Sequence, residues 1–162
     1  MGIANTMAAL HAGASCAHVT VNGLGERAGN TPFEELVMAL EILYQYRTGI
    51  RTTEIYPLAA LVSRLTGVPL PTNKAIVGEM AFTHESGIHA HGVLKEPSTY
   101  EPVPPERIGR KRRIMLGKHS GSASVEAALT ELHYHPDGKQ LKEILGRIKD
   151  LGDKGMRVTD SD

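Results

Sequence analysis

Apolar residues recur with two periods along this chain, and the alternation between them outlines its elements. Ile3 to Leu10 is alanine-rich with helical spacing, and Gly13 suits the left-handed position just past the end of such a helix. Ala17-His-Val-Thr-Val-Asn22 alternates and is rich in β-branched residues, which predicts a strand. A glycine-rich loop, Gly23-Leu-Gly-Glu-Arg-Ala-Gly-Asn30, follows. Thr31 is then an expected N-cap, with Pro32 at the first helical position and Glu34-Glu35 near the helix's positive end. Leu36, Val37, Leu40 and Leu43 carry an apolar stripe toward Arg47. Residues 1–48 therefore read helix, strand, loop, helix, the closing portion of a β/α repeat.

The pattern changes at Gly49. Thr52-Thr53-Glu54 opens a helix expected to run through Leu58, Leu61, Val62 and Leu65 to Gly67, where Val68-Pro-Leu-Pro71 breaks it. Asn73 to Leu94 reads as two short helices separated near a histidine cluster. Pro97 to Pro105 holds four prolines in nine residues and is a loop. Ile114-Met-Leu116 reads as a short strand. Ser120 to Ser124 caps a helix reaching Leu132, and Asp137 starts another with Leu141, Ile144, Leu145 and Ile148 on one face. Val158-Thr-Asp-Ser-Asp162 has the composition of an N-cap.

The fold class expected is α/β and mostly helical. Residues 1–48 read as the last β/α portion of a barrel, and residues 49–162 as a mainly helical segment with parts near 49–105 and 106–162. One apolar strand cannot close a parallel sheet, which needs neighbours on both sides and helices on its faces. The barrel is thus incomplete, and its remainder is expected before Met1.

Composition narrows the functional classes. Eighteen basic and 18 acidic residues cancel, so no global field favours nucleic acid. Aromatic residues make up 4% and tryptophan is missing, so platforms for stacking bases are not expected. No apolar run is long enough to span a bilayer. A single cysteine, Cys16, cannot form an internal disulfide and fits a reducing compartment. A cytoplasmic protein, binding neither nucleic acid nor membrane, is expected.

Two segments concentrate chemistry. His84-Glu-Ser-Gly-Ile-His89-Ala-His91 places three imidazoles in eight residues, with Tyr100 eleven residues past His89. Imidazoles titrate nearest neutral pH, so such a cluster points to proton transfer or metal ligation. Three readings compete: a metal pair at His89 and His91, surface histidines without a role, and proton transfer by His89 working with Tyr100. Glu85 is the only nearby carboxylate. The other segment, Gly23 to Asn30, is either a phosphate cradle at a helix N-terminus or a tight turn requiring its glycines. Its glycine spacing is not that of a dinucleotide fingerprint. The turn would present Glu26, Arg27 and Asn30 at the C-terminal end of a strand, where β/α barrels carry their chemistry. The basic run Arg107, Arg110, Lys111, Arg112, Arg113 is either a solvated face or an anion site. Gly117-Lys-His-Ser-Gly121 is either an anion nest or a glycine-bounded turn.

Four blocks resemble one known family: Val21-Asn-Gly-Leu-Gly-Glu-Arg-Ala-Gly-Asn30, Phe82-Thr-His-Glu-Ser-Gly-Ile-His89, Pro97-Ser-Thr-Tyr-Glu101 and Leu116-Gly-Lys-His-Ser-Gly121. The chain is similar, over nearly its whole length, to the C-terminal half of the homocitrate synthase and 2-isopropylmalate synthase family. These are acyl-CoA-condensing enzymes. The resemblance implies a (β/α)8 barrel followed by a helical extension, and the tail resembles the archaeal-type branch of isopropylmalate, citramalate and homocitrate synthases.

The resemblance implies a condensation of acetyl-CoA with a 2-oxo acid, helped by a divalent metal (Mg, Mn or Zn). It implies His89 as the catalytic histidine, Tyr100 as its partner and Glu85 as an orienting group. Gly25, Glu26 and Arg27 become structural or substrate-proximal members of the loop, and Asn30 the one metal ligand this chain supplies. The family's aspartate and paired histidines fall in segments expected before Met1, and His89-Ala-His91 is not that pair. A barrel-bearing subunit and a homodimer-like assembly are implied as partners. The alternatives are an inactive truncated homologue that only associates with a relative, and a CoA- or anion-binding module built on the basic run.

Overall fold

The computed structural model describes residues 1–86, 92–93, 95–156 and 158–159. His89 and His91 lie outside the described residues, and so do Asp160, Ser161 and Asp162. Among the described residues, five α-helices carry most of the regular structure: α1 (Gly2–His11), α2 (Phe33–Ile42), α3 (Ile55–Thr66), α4 (Ser122–Glu131) and α5 (Gly138–Asp153). Two short strands, β1 (Thr83–His84) and β2 (Arg113–Ile114), pair in parallel with Thr83 opposite Arg113 and His84 opposite Ile114. The mostly helical α/β class agrees with the hydrophobic pattern, but β1 falls inside the 73–94 segment read as two short helices, where a 3-10 turn, Glu79–Phe82, leads directly into the strand.

The chain divides into two compact units, Met1–Ala81 with Val103–Lys111, and Phe82–Pro102 with Arg112–Asp162. The boundary expected at residue 48 therefore falls inside the first unit, and the segment 103–111 returns to it.

In the first unit, α1 ends as the pattern predicts, with Gly13 at φ +106° just beyond it. The strand expected over Ala17–Asn22 is not formed. Only Thr20 is bridged, to Pro32, and Val21–Gly23 is a 3-10 turn in which Asn22 adopts φ +62°. A strand is stabilised by its ladder, and alternation alone does not hold the chain extended where no neighbouring strand pairs with it. Thr31 does not cap α2. Its hydroxyl shares a 2.8 Å hydrogen bond with that of Thr6, and Pro32 occupies the cap position with no side-chain hydrogen bond. The helix stops at Ile42, short of Arg47, and Leu43 is exposed.

Helix α3 begins with a 3-10 turn at Thr52–Glu54 and ends at Gly67, φ +72°, as expected. Its buried face is not its leucine stripe. Ile55 and Ala59 are enclosed, whereas Leu58, Leu61 and Leu65 face outward. Both sets satisfy helical spacing, so periodicity alone could not choose between two apolar stripes on one helix. Gly109 shows how tightly segment 103–111 seats in this unit. It sits at φ +77°, and a β-carbon there would lie 2.1 Å from the Thr53 carbonyl oxygen.

The second unit joins β1 and β2 to the hairpin of α4 and α5. Helix α5 opens with a reciprocal capping box: Asp137 Oδ1 accepts from the amides of Lys139 and Gln140, and Gln140 Oε1 accepts from the Asp137 amide. Ile148 is buried on α5 and Val125 on α4. Between these helices and β2 lies a cleft of about 280 Å³ walled by Ile114, Leu116, Leu129, Ile144, Ile148 and Leu151.

Candidate active site

The loop Gly23–Asn30 is a closed turn held by its own hydrogen bonds. The Asn30 amide donates to the Gly23 carbonyl at 2.9 Å, the Gly29 amide donates to that of Glu26 at 2.9 Å, and Asn30 Nδ2 donates to that of Leu24 at 2.9 Å. Its glycines are required by space as well as by backbone angle. Gly29 sits at φ +86°, and a β-carbon there would lie 2.1 Å from the Gly23 carbonyl oxygen. One added to Gly25 would meet Asn30 Nδ2 at 2.3 Å. With the Gly29 and Asn30 amides already used inside the loop, the geometry favours the tight-turn reading over a phosphate cradle. Glu26 and Arg27 are exposed and pair with each other at 2.8 Å, and Arg27 adopts φ +57°.

This turn rests on a buried polar joint. Glu34 is 1% exposed, and its Oε2 accepts from the Asn22 amide at 2.9 Å. Lys74 Nζ lies 3.2 Å from Glu34 Oε1 and 2.7 Å from Glu35 Oε1. The longer contact is an ion pair whose angles fall outside a hydrogen bond, so Glu34 Oε1 has charge compensation but no donor. Asn22 Nδ2 donates to the Ala59 carbonyl of α3 at 2.9 Å. Burial alone would lower the Lys74 pKa, but the hydrogen bond to Glu35 and the charges of Glu34 and Glu35 outweigh it and raise the pKa above its ordinary value.

The amide nitrogen of Asn30 is turned to Leu24, which leaves Oδ1 as its free end, and that orientation fits a residue contributing one oxygen to a divalent cation. It does not make a site by itself. Among the described residues no group of three His, Cys, Asp or Glu side chains could hold a metal, and that group excludes His89 and His91 because they are not described.

In the second unit, Tyr100 closes a 3-10 turn, Pro97–Thr99, and its ring lies against Gly92, where a β-carbon would sit 2.7 Å from Cε2. Gly92 is three residues past His89 in sequence. Glu85 directs Oε1 toward Gly117, where a β-carbon would come within 2.7 Å. The Gly117–Gly121 segment closes on itself: the Gly117 amide donates to Ser120 Oγ at 2.9 Å and the Ser120 amide to the Gly117 carbonyl at 3.0 Å. That supports the glycine-bounded turn over an anion nest.

Sequence reasoning missed Glu101. It is 5% exposed, and its carboxylate receives Arg112 through two nitrogens, Nε on Oε1 at 2.8 Å and Nη2 on Oε2 at 2.5 Å. His84 Nε2 lies 2.9 Å from the same Oε1. Burial pushes the Glu101 carboxyl up, but the hydrogen bonds and charges of Arg112 and His84 bring it below its ordinary value. The available signal was a carboxylate directly after Tyr100 with an arginine eleven residues on. His84 is accordingly a bonded, largely buried histidine. The basic run is not one solvated face either. Arg107 pairs with Glu41 at 3.2 Å, and Arg110 stacks 4.6 Å from the Tyr56 ring centroid and bonds the Gly78 carbonyl.

The candidate residues thus gather as two sets in different units, Gly25, Glu26, Arg27 and Asn30 in the first, and Glu85 and Tyr100 in the second. Family comparison covers both. Residues 1–62 match the HMGL-like family, and residues 76–156, half of the chain, match the homocitrate synthase post-HMGL domain-like family. The chain belongs to this synthase family. A protein of Methanoculleus marisnigri, provisionally assigned as the (R)-citramalate synthase CimA, is 73% identical over 99% of the chain and 32% of its own length. The 2-isopropylmalate synthase of Methanocaldococcus jannaschii is 54% identical over the whole chain and 32% of its own length. A protein of Ignicoccus hospitalis bearing the probable 2-isopropylmalate synthase name is 54% identical over 99% of the chain and 40% of its length. The chain therefore spans about a third of the length of these relatives. No helix among the described residues is long and apolar enough to cross a membrane.

Proposed function

We propose that this chain is one part of a synthase that condenses acetyl-CoA with a 2-oxo acid, working with a barrel-bearing partner. The observation carrying this reading is identity of 54–73% to citramalate and 2-isopropylmalate synthases over 99–100% of the chain. Two relatives that are 73% identical carry the citramalate synthase name, which favours citramalate as the product. The reaction removes a proton from the acetyl-CoA methyl group, adds the resulting enolate to the ketone carbon, and ends with water cleaving the thioester to free CoA. Bound with ligands from the partner, a Mg, Mn or Zn ion would supply Lewis-acid polarisation of the ketone, and Asn30 Oδ1 is the oxygen this chain would add.

His89 is the group proposed to move the methyl proton, with Tyr100 and Glu85 orienting it. A base must sit near neutral pKa for this step, which an imidazole does. Gly25, Glu26 and Arg27 form the loop beside the oxo acid. Because chemistry is shared between this chain and its partner, the isolated chain is expected to be inactive. Thiol release from acetyl-CoA should be measured with pyruvate, 2-oxoisovalerate and 2-oxoglutarate, using the chain alone and then with a barrel fragment from a relative. Turnover is expected only in the reconstituted enzyme, and absence of turnover there with all three acids would overturn the reading. In the active enzyme, His89→Ala and Tyr100→Phe should each lower kcat by ~100-fold with smaller effects on KM. His91→Ala should do much less, and equal damage from it would show that the wrong histidine was chosen.

A further inference from the structure

We propose that Glu101 is a positioning residue for Tyr100, fastening the tyrosine turn to β1 through His84 and to the start of β2 through Arg112. The functional part of this inference rests on the reading of Tyr100 given above. Three segments distant in sequence converge on one carboxylate. The turn reaches it through the chain itself, since Glu101 follows Tyr100 directly and its amide donates to the Pro97 carbonyl at 3.0 Å. Strand β1 reaches it through His84 Nε2 at 2.9 Å. The residue entering β2 reaches it through the two-nitrogen fork of Arg112.

The geometry is that of a fixed joint. A guanidinium–carboxylate fork fixes distance and plane together, and charge-assisted bonds of this kind are about twice as strong as neutral ones. The third contact falls on an oxygen that already accepts from Arg112 Nε. An ionised carboxylate offers only acceptors, so His84 Nε2 carries a proton and is the donor. Strand pairing continues the same connection, because the Met115 amide donates to the His84 carbonyl at 2.9 Å. On its other side the Tyr100 ring lies against Gly92, where no side chain intervenes. Buried ion pairs are weak sources of net stability compared with well-packed apolar residues. What this one supplies is a defined placement of the residue next to it.

The test labels the tyrosines with 3-fluorotyrosine and follows the Tyr100 resonance, assigned by its loss in Tyr100→Phe. In the intact chain one narrow Tyr100 line is expected. Glu101→Gln, which keeps the shape and removes the charge, should shift and broaden it, and so should His84→Leu. His84→Gln, which retains a donor, should restore the narrow line, while far-UV circular dichroism stays unchanged throughout. In the enzyme reconstituted with a barrel-bearing partner, Glu101→Gln and His84→Leu should lower kcat at least tenfold with the oxo-acid KM within about threefold. His84→Gln should recover kcat to within about threefold of the parent. A Tyr100 line unmoved by both Glu101→Gln and His84→Leu would overturn the proposal. So would a broadened line with unaltered kcat in an active enzyme. If the unsubstituted reconstituted enzyme shows no turnover, the functional reading fails, and the fluorine spectra still decide whether Glu101 positions Tyr100.

Discussion

Replacing Lys74 with methionine should destabilise the first unit more than removing either of its partner charges, and far more than removing that of Glu35. Methionine keeps most of the apolar stem and deletes the ammonium, so packing changes little. The loss falls on Glu34, which is 1% exposed and would keep only the Asn22 amide as a donor. Breaking a buried pair by removing one member costs about 3–5 kcal/mol, because an uncompensated charge stays inside. Glu35→Gln is milder. Its side chain is 25% exposed, and Lys74 would still face Glu34, so about 1 kcal/mol or less is expected. Glu34→Gln is intermediate, since Lys74 keeps its 2.7 Å contact to Glu35. The double change Lys74→Met with Glu34→Leu should recover part of the loss, because an apolar pair replaces a stranded carboxylate. Recovery should stop short of the parent, since the Asn22 amide then has no acceptor, worth about 1–3 kcal/mol. Urea unfolding followed by far-UV circular dichroism, at one protein concentration, measures the series. The pH dependence supplies an independent check. The folded pKa of Lys74 is raised, so its stabilisation is complete below the unfolded value of about 10.4 and disappears as pH climbs through the folded value. The parent should therefore lose stability above that pH more steeply than Lys74→Met. If Lys74→Met and Glu35→Gln cost the same to within 0.5 kcal/mol (roughly the error of such comparisons), the joint at Glu34 does not work as described.

Gly29→Ala should destabilise the loop by about 1–3 kcal/mol and weaken any activity of the reconstituted enzyme, because φ +86° and a 2.1 Å approach to the Gly23 carbonyl leave no room for a methyl group; a neutral effect in thermal unfolding would contradict this. Acid unfolding should draw on Glu101: its folded pKa is lowered, so its stabilisation is present above the unfolded value of about 4.3 and is lost as pH falls through the folded value. Glu101→Gln should flatten that acid limb in a series of denaturation midpoints, and an unchanged slope would count against it. Leu43, Tyr46, Leu58, Leu61 and Leu65 are all exposed on the first unit, so the isolated chain should self-associate or take up a partner. Light scattering coupled to size exclusion should show species heavier than 17.5 kDa, and a strict monomer at all concentrations would refute this.

What could be read in advance follows from which interactions are local. The ends of α1 and α3 were legible because a glycine with positive φ stops a helix whatever surrounds it, and Gly13 and Gly67 both do so. The start of α5 was legible because Asp137 and Gln140 form their capping box within four residues. The predicted strand over Ala17–Asn22 failed for the opposite reason. Strand formation depends on a partner, and alternation in one segment says nothing about where that partner is. The same distinction explains Glu101. Its neighbours His84 and Arg112 lie 17 and 11 residues away, and nothing in the local pattern separates a carboxylate bound for the interior from one facing solvent. The turn before Tyr100 was legible because proline is a local signal, and Pro97 opens the 3-10 turn Pro97–Thr99. The group that holds the turn in place stood in the same block, and only the fold reveals why it is there.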